Sequence, residues 1–250
     1  MMGWLSDRFR EIAAAAMVLT RLPILHFEHS FPAMASAAWA FPLVGGMLGL
    51  LIGCLQIMLI DLCGMPPWPA AVICVALGVI MTGALHEDGL ADFADAAGGH
   101  TTEKKLTIMR DSRIGSFGAV SLMLSLMIRT ACIASLPPDG DAMVAIISSM
   151  AISRFCILLI PCFMHSARPE GSGAMMAGIG LVQLAMAAIP TVVLASLAGI
   201  HGWLAFLTAL LSTWLVGRHA RRTLGGFTGD VLGATEQCAV CAAFLTMVCG

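Results

Sequence analysis

The feature that most constrains this chain is a series of apolar runs, several of which reach or approach the length that crosses a bilayer, the last being weaker. They cover about 35–60, 68–85, 119–136, 142–163, 174–197, 203–216 and 232–248. Crossing hydrocarbon takes roughly 20 apolar residues in a helix. With no water there to satisfy backbone amides, each run must bond its own backbone, which selects helices. The chain is 59% hydrophobic and 11% charged, against about 25% charged in an ordinary soluble domain. The expected fold class is therefore all-α, a polytopic integral membrane helical bundle of six or seven transmembrane helices. No Ser/Pro-rich linker divides residues 1–250, so a single membrane-embedded domain is expected. Residues 5–30 read as an interfacial helix followed by a break holding Arg21 and Pro23.

Eleven of the thirteen basic residues fall in four alternate segments, 1–30, 86–117, 163–173 and 218–230. The turns 61–67, 137–141 and 198–202 between them carry none. Positive residues favour the cytoplasmic side, so the N-terminus and the three charged loops are expected there and the C-terminus outside. A net charge of −2 without a basic stripe points to no nucleic acid. The lipid bilayer is the first partner, with association into a homo-oligomer left open. The nine cysteines lie in or beside apolar runs, where cysteine acts as a small hydrophobe. Cys238 and Cys241 lack a second pair or a nearby His and make a weak metal motif.

Between two of these runs lies one hydrophilic island, Leu85 to Gly118, with six of the fifteen acids and four of the thirteen bases. Asp88, Asp92 and Asp95 recur at i, i+4 and i+7, which on a helix puts them within about 60° of one another. Three like charges in a stripe call for a counter-charge. All-oxygen donors favour Mg²⁺, Mn²⁺ or Ca²⁺ over zinc. Glu87, about 100° off the stripe, is a secondary or alternative ligand. A solvated acidic loop is the plainer reading, but it has no need of helical phasing. His86 and His100 bracket the acids and are left undecided.

Lys104, Lys105, Arg110 and Arg113 follow directly, and cations beside metal ligands suit phosphoryl oxygens. The same residues taken alone fit anionic headgroups or the topology rule. Arg129 and Arg154 sit inside apolar runs, where a charge costs at least ~2.5 kcal/mol. Each is either an anion ligand or half of an internal ion pair. Arg168 in the turn 168–173 is a further anion candidate. The segment Gly225–Gly233 is glycine-rich, as if to let backbone approach a ligand. Beside it Asp230 is placed to complete a metal site or orient a nucleophile.

These residues resemble a known family. GALHEDGLADFADAAGGHTTEKKLTIMRDSRIGSFG at 83–118 is similar to the signature loop of cobalamin synthases, the membrane-bound adenosylcobinamide-GDP ribazoletransferases. LTRLPI at 19–24, SRFCILLIPCFMHSARPEGSG at 153–173 and GGFTGDVLGATEQ at 225–237 match in order. The family pattern often has Gly after the third acid, where this chain has Ala96. The resemblance implies a Mg²⁺-dependent transferase of phosphorus-containing groups in a bacterial cell inner membrane, with its active-site loops on the cytoplasmic face. A hydroxyl of α-ribazole, or of its 5′-phosphate, would attack the cobinamide-side phosphorus of adenosylcobinamide-GDP. GMP would leave, giving adenosylcobalamin or its 5′-phosphate. On that reading Glu87, Asp88, Asp92 and Asp95 are the metal candidates. Lys104, Arg110, Arg113, Arg154 and Arg168 are the phosphate candidates, and Asp95 or Asp230 orients or deprotonates the hydroxyl. Two rivals are a CDP-alcohol phosphotransferase, disfavoured because Asp92 stands where its pattern has Arg, and a cation transporter, disfavoured because the acids sit on one face rather than at the midplane.

Overall fold

The computed structural model describes residues 2–22, 33–168, 171–176 and 178–249, and among them every regular element is helical. The Pro23 part of the expected N-terminal break lies outside them. Helix α1 is Met2–Leu19, α2 Met34–Ala37 and α3 Phe41–Ile57, with a π turn Met58–Leu62 closing the first long apolar segment. Then come α4 Pro67–Thr82, α5 Leu85–Asp95, α6 Thr102–Ile108, α7 Ser116–Ser135 and α8 Gly140–Phe163. The chain closes with α9 Ser172–Met175, α10 Leu181–Leu197, α11 Gly199–Leu224 and α12 Gly229–Val248. Five of these segments are long and apolar enough to cross a membrane: Met34–Leu62, α7, α8, α11 and α12. The shorter α4 makes a sixth span only if it is counted together with the helix bent away from it, and α10 is a further, shorter apolar helix, so the described residues give five or six spans rather than seven.

Two boundaries differ from the sequence expectation. The fifth run, expected at 174–197, starts its long helix only at Leu181, after the short α9 and the positive-φ Gly178. The sixth, expected to stop at Val216, continues through the basic residues to Leu224. Arginine is a good helix former, so the helix ends only where Gly225 takes a left-handed conformation, at φ 75°.

Helices α8 and α12 run through the middle of the bundle, with most of their residues buried. Helix α3 lies along α8 on a stripe of small residues. A methyl on Gly49 would come 2.7 Å from the Ile147 Cα, and one on Gly53 2.8 Å from the Met143 Cγ. A methyl on Gly45 would run into the Met150 carbonyl. Spacing of this kind lets membrane helices approach backbone to backbone, where lipid offers no hydrophobic drive to associate. Outward, Met47, Leu51, Ile80, Met127, Ile189 and Leu207 are exposed, as suits a surface solvated by hydrocarbon.

Candidate active site

The acidic helix is aimed by a backbone reversal. Helix α4 ends at Gly83 and Ala84, both left-handed, and α5 leaves at 88° to it. With four acids in eleven residues, α5 is not a span. It lodges at the mouth of the bundle against α12 and α7. Gly89 and Gly233 cross so closely that a methyl on either would lie 3.0 Å from the other's Cα. Gly233 therefore serves helix packing here. Gly226 likewise abuts the backbone of His165 and Ala167, so two glycines read as making room for a ligand instead make room for the chain.

The inner face of α5 is an ion-pair lattice. Arg129 Nη2 donates to Glu87 Oε1 at 2.9 Å, and Gln237 Nε2 donates to the same oxygen at 3.2 Å. Gln237 Nε2 also donates to Glu236 Oε2 at 2.9 Å, and Arg154 Nη1 donates to Glu236 Oε1 at 2.5 Å. All five side chains are buried. Charges inside a membrane protein are held by pairing of this kind. Of the expected roles, a metal ligand at Glu87 and a phosphate ligand at Arg154 are not what the geometry offers. Both side chains turn into the lattice, α5 to α7 and α8 to α12, away from the open carboxylates. Sequence reasoning left Glu236 and Gln237 unassigned. The usable signal was one lone acid, Glu236, within an apolar run of a chain that buries two arginines.

The outer face holds the rest of the stripe. Asp88 is exposed, and Asp92 and Asp95 are half-buried. Asp95 accepts the Gly115 amide at 2.7 Å and the Gly118 amide at 2.8 Å, so its two oxygens fix the start of α7. Asp92 bears no such bond, and burial raises its pKa to about 6, with the nearby charges of Asp88, Asp230 and Asp95 adding to the rise.

Asp230 arrives from α12. The loop before α12 pairs with the loop after α8 through a bridge, in which Ala167 N donates to the Phe227 carbonyl at 2.7 Å and Phe227 N to that of His165 at 3.1 Å. This sets Arg168 Nη1 3.9 Å from Asp230 Oδ2, while Arg168 Nη2 donates to the Leu106 carbonyl at 2.8 Å. Thr228 caps α12 and donates to Asp230 Oδ2 at 3.2 Å. A polar cavity of about 60 Å³ opens between Ser166, Arg168, Thr228 and Asp230.

The other expected cations stand farther out. Lys104 and Arg110 are exposed, and Arg110 is near enough to Arg168 for their charges to interact. Arg113, its side chain 87% exposed, holds Asp111 through a contact of 2.8 Å. His100 is exposed and His86 buried.

Among the described residues no three acids, histidines or cysteines already converge on one metal position. Mg²⁺ does not require that, since it keeps several waters and is usually held by one or two carboxylates together with substrate phosphates. Asp88 and Asp92 are the oxygen donors open to do so, with Asp230 beside them held by Thr228 and Arg168, and their chemistry fits.

The family model of cobalamin-5-phosphate synthase matches residues 11–248. The chain belongs to the cobalamin-5-phosphate synthase family. An adenosylcobinamide-GDP ribazoletransferase of Mesorhizobium japonicum is 37% identical over 245 residues, covering 94% of this chain and 91% of that one. Proteins of the same name from Brucella ovis and Brucella canis are each 34% identical over 267 residues, covering 98% of this chain and 97% of theirs. As a member of the cobalamin-5-phosphate synthase family the chain is an enzyme, a transferase, which sets aside the phosphotransferase and transporter rivals. No solved structure matches the chain.

Proposed function

We propose that this enzyme joins adenosylcobinamide-GDP to α-ribazole or α-ribazole 5′-phosphate, with Mg²⁺, on the cytoplasmic face of a bacterial inner membrane. The observation that carries the reading is the Gly89–Gly233 crossing. It gathers Asp88 and Asp92 from one charged segment, Asp230 from a second and Arg168 from a third around one polar mouth. The family assignment and the name of the relatives support the substrates.

In the reaction the acceptor hydroxyl oxygen forms a bond to the cobinamide-side phosphorus, and the bond from that phosphorus to the oxygen of GMP breaks. Mg²⁺, when bound, neutralises pyrophosphate charge and stabilises the leaving GMP. Asp88 and Asp92 would hold it. Asp230 is the candidate to orient the hydroxyl and accept its proton, because Thr228 and Arg168 fix its carboxylate. Arg168, anchored on the Leu106 carbonyl, keeps donors for the phosphate oxygens, with Arg110 and Lys104 at the rim. Asp95 positions α7 instead of reacting. The basic loops at this end of the bundle support its cytoplasmic placement through the positive-inside bias.

The test is ribazole transfer by purified protein in liposomes, with and without Mg²⁺, following GMP and corrinoid product together. The reading expects matched, Mg²⁺-dependent release of both, lost in Asp92→Asn. No product from folded wild type with either acceptor would overturn it.

A further inference from the structure

A second cavity, much larger than the one beside Asp230, plays no part in that chemistry. It is an apolar groove of about 450 Å³ between α8 and α11, walled by Leu159, Phe163 and Trp214 and floored by Gly217. It opens outward, since Phe163 and Trp214 are 60% and 56% exposed. At its polar end stand Arg218, Arg221 and Arg222, all exposed. Their i, i+3, i+4 spacing puts them on one face of α11. Among the described residues no acid forms an ion pair with any of them. The Arg218 guanidinium lies 5.3 Å from the centroid of the Trp214 ring, a cation–π distance that holds its charge over the groove. The inward side of the same helix is occupied otherwise, with Ala220 and Leu224 buried, and the exposed His219 meets Phe93 of α5 edge to face at 5.6 Å.

We infer that this groove is a binding site for an anionic phospholipid, with an acyl chain along the α8–α11 seam and the headgroup phosphate on Arg218, Arg221 and Arg222. The complementarity is double. A free phosphate would leave the apolar walls unused, and a zwitterionic lipid would leave three guanidiniums without net counter-charge. The small Gly217 is needed for the groove to exist, because a methyl there would meet the Ile160 Cδ1 at 3.0 Å and a larger side chain would fill it. Basic pockets between helices at the headgroup level are suited to such lipids.

Trp214 is a built-in reporter. The full chain is placed in phosphatidylcholine vesicles containing either phosphatidylglycerol or phosphatidylcholine brominated on the acyl chain, and tryptophan quenching is measured. Subtracting the Trp214→Phe variant isolates the groove. The expected result is stronger quenching of Trp214 by the brominated phosphatidylglycerol. That preference should fall about fivefold for each arginine removed in the series R218Q, R221Q, R222Q, survive in R221K, and resist inorganic pyrophosphate. Equal quenching by the two lipids would overturn the proposal, since the groove would then hold bulk lipid without charge selection. Loss of the preference on adding pyrophosphate would assign the arginines to a soluble phosphate ligand instead. Absence of quenching by both lipids would mean that a second copy covers this face.

Discussion

Gly89 of α5 and Gly233 of α12 meet backbone to backbone, 3.0 Å being the distance a methyl on either would keep from the other's Cα. The crossing brings Asp230, in the first turn of α12, beside a stripe more than 130 residues earlier in the chain. A Gly233→Ala methyl would also meet the His86 carbonyl at 3.1 Å. The expected cost is about 1–3 kcal/mol from overpacking, with a loss of turnover larger than the loss of stability predicts. Melting in detergent and steady-state transfer, measured on one preparation, check both. Wild-type turnover in the variant would uncouple the crossing from the site.

The Arg154–Glu236 pair is buried on both sides. Removing one partner leaves an uncompensated charge, and Arg154→Met or Glu236→Gln should each destabilise by about 3–5 kcal/mol. Replacing both residues with apolar ones of similar volume should cost much less. A double-mutant cycle on melting temperatures tests this, and additive losses would contradict the pairing.

Asp95 and Asp92 lie on one stripe but should fail differently. Asp95→Ala removes the acceptor of two amides at the start of α7 and should cost about 1–3 kcal/mol of stability, with activity falling alongside. Asp92→Asn removes a charge that burial and three acids oppose, so it should melt at or above the wild-type temperature at neutral pH and lose the response to Mg²⁺. An Asp95→Ala protein with wild-type melting and no activity would return Asp95 to the chemistry.

Asp92 ionises near pH 6, above its ordinary value, because burial and the charges of Asp88, Asp230 and Asp95 oppose its charge. The sign follows from that. Below about 6 the carboxyl is protonated and the proton competes with a cation. Above it the ionised acid is a strain on the fold that a bound cation relieves. The half-saturating Mg²⁺ concentration should therefore rise as pH falls through 6, approaching tenfold per pH unit. Titrations between pH 5 and 8 check it, and the same curve in Asp92→Asn would show that another group governs binding.

How much was legible in the sequence depends on the range of the interaction. Apolar runs of bilayer length fix helices locally, since each span must satisfy its own backbone, and the phasing of Asp88, Asp92 and Asp95 is a property of eight consecutive residues. The same sequence left Arg154 divided between anion ligand and ion pair, because its partner Glu236 lies 82 positions away and spacing along a chain carries no information about packing across it. Glu87 reads from the sequence as a secondary ligand beside the stripe, because its angle off the stripe is local but its partners are not. One helical step of about 100° turns it into the bundle, where Arg129 and Gln237 meet it. By itself the sequence determined that this is a membrane bundle with most of its acids and bases gathered in a few segments. Tertiary structure alone decided which acids face outward. The physical reason is that buried charges inside a bundle must be paired, and only the packing of α5, α7, α8 and α12 determines which partners each one finds.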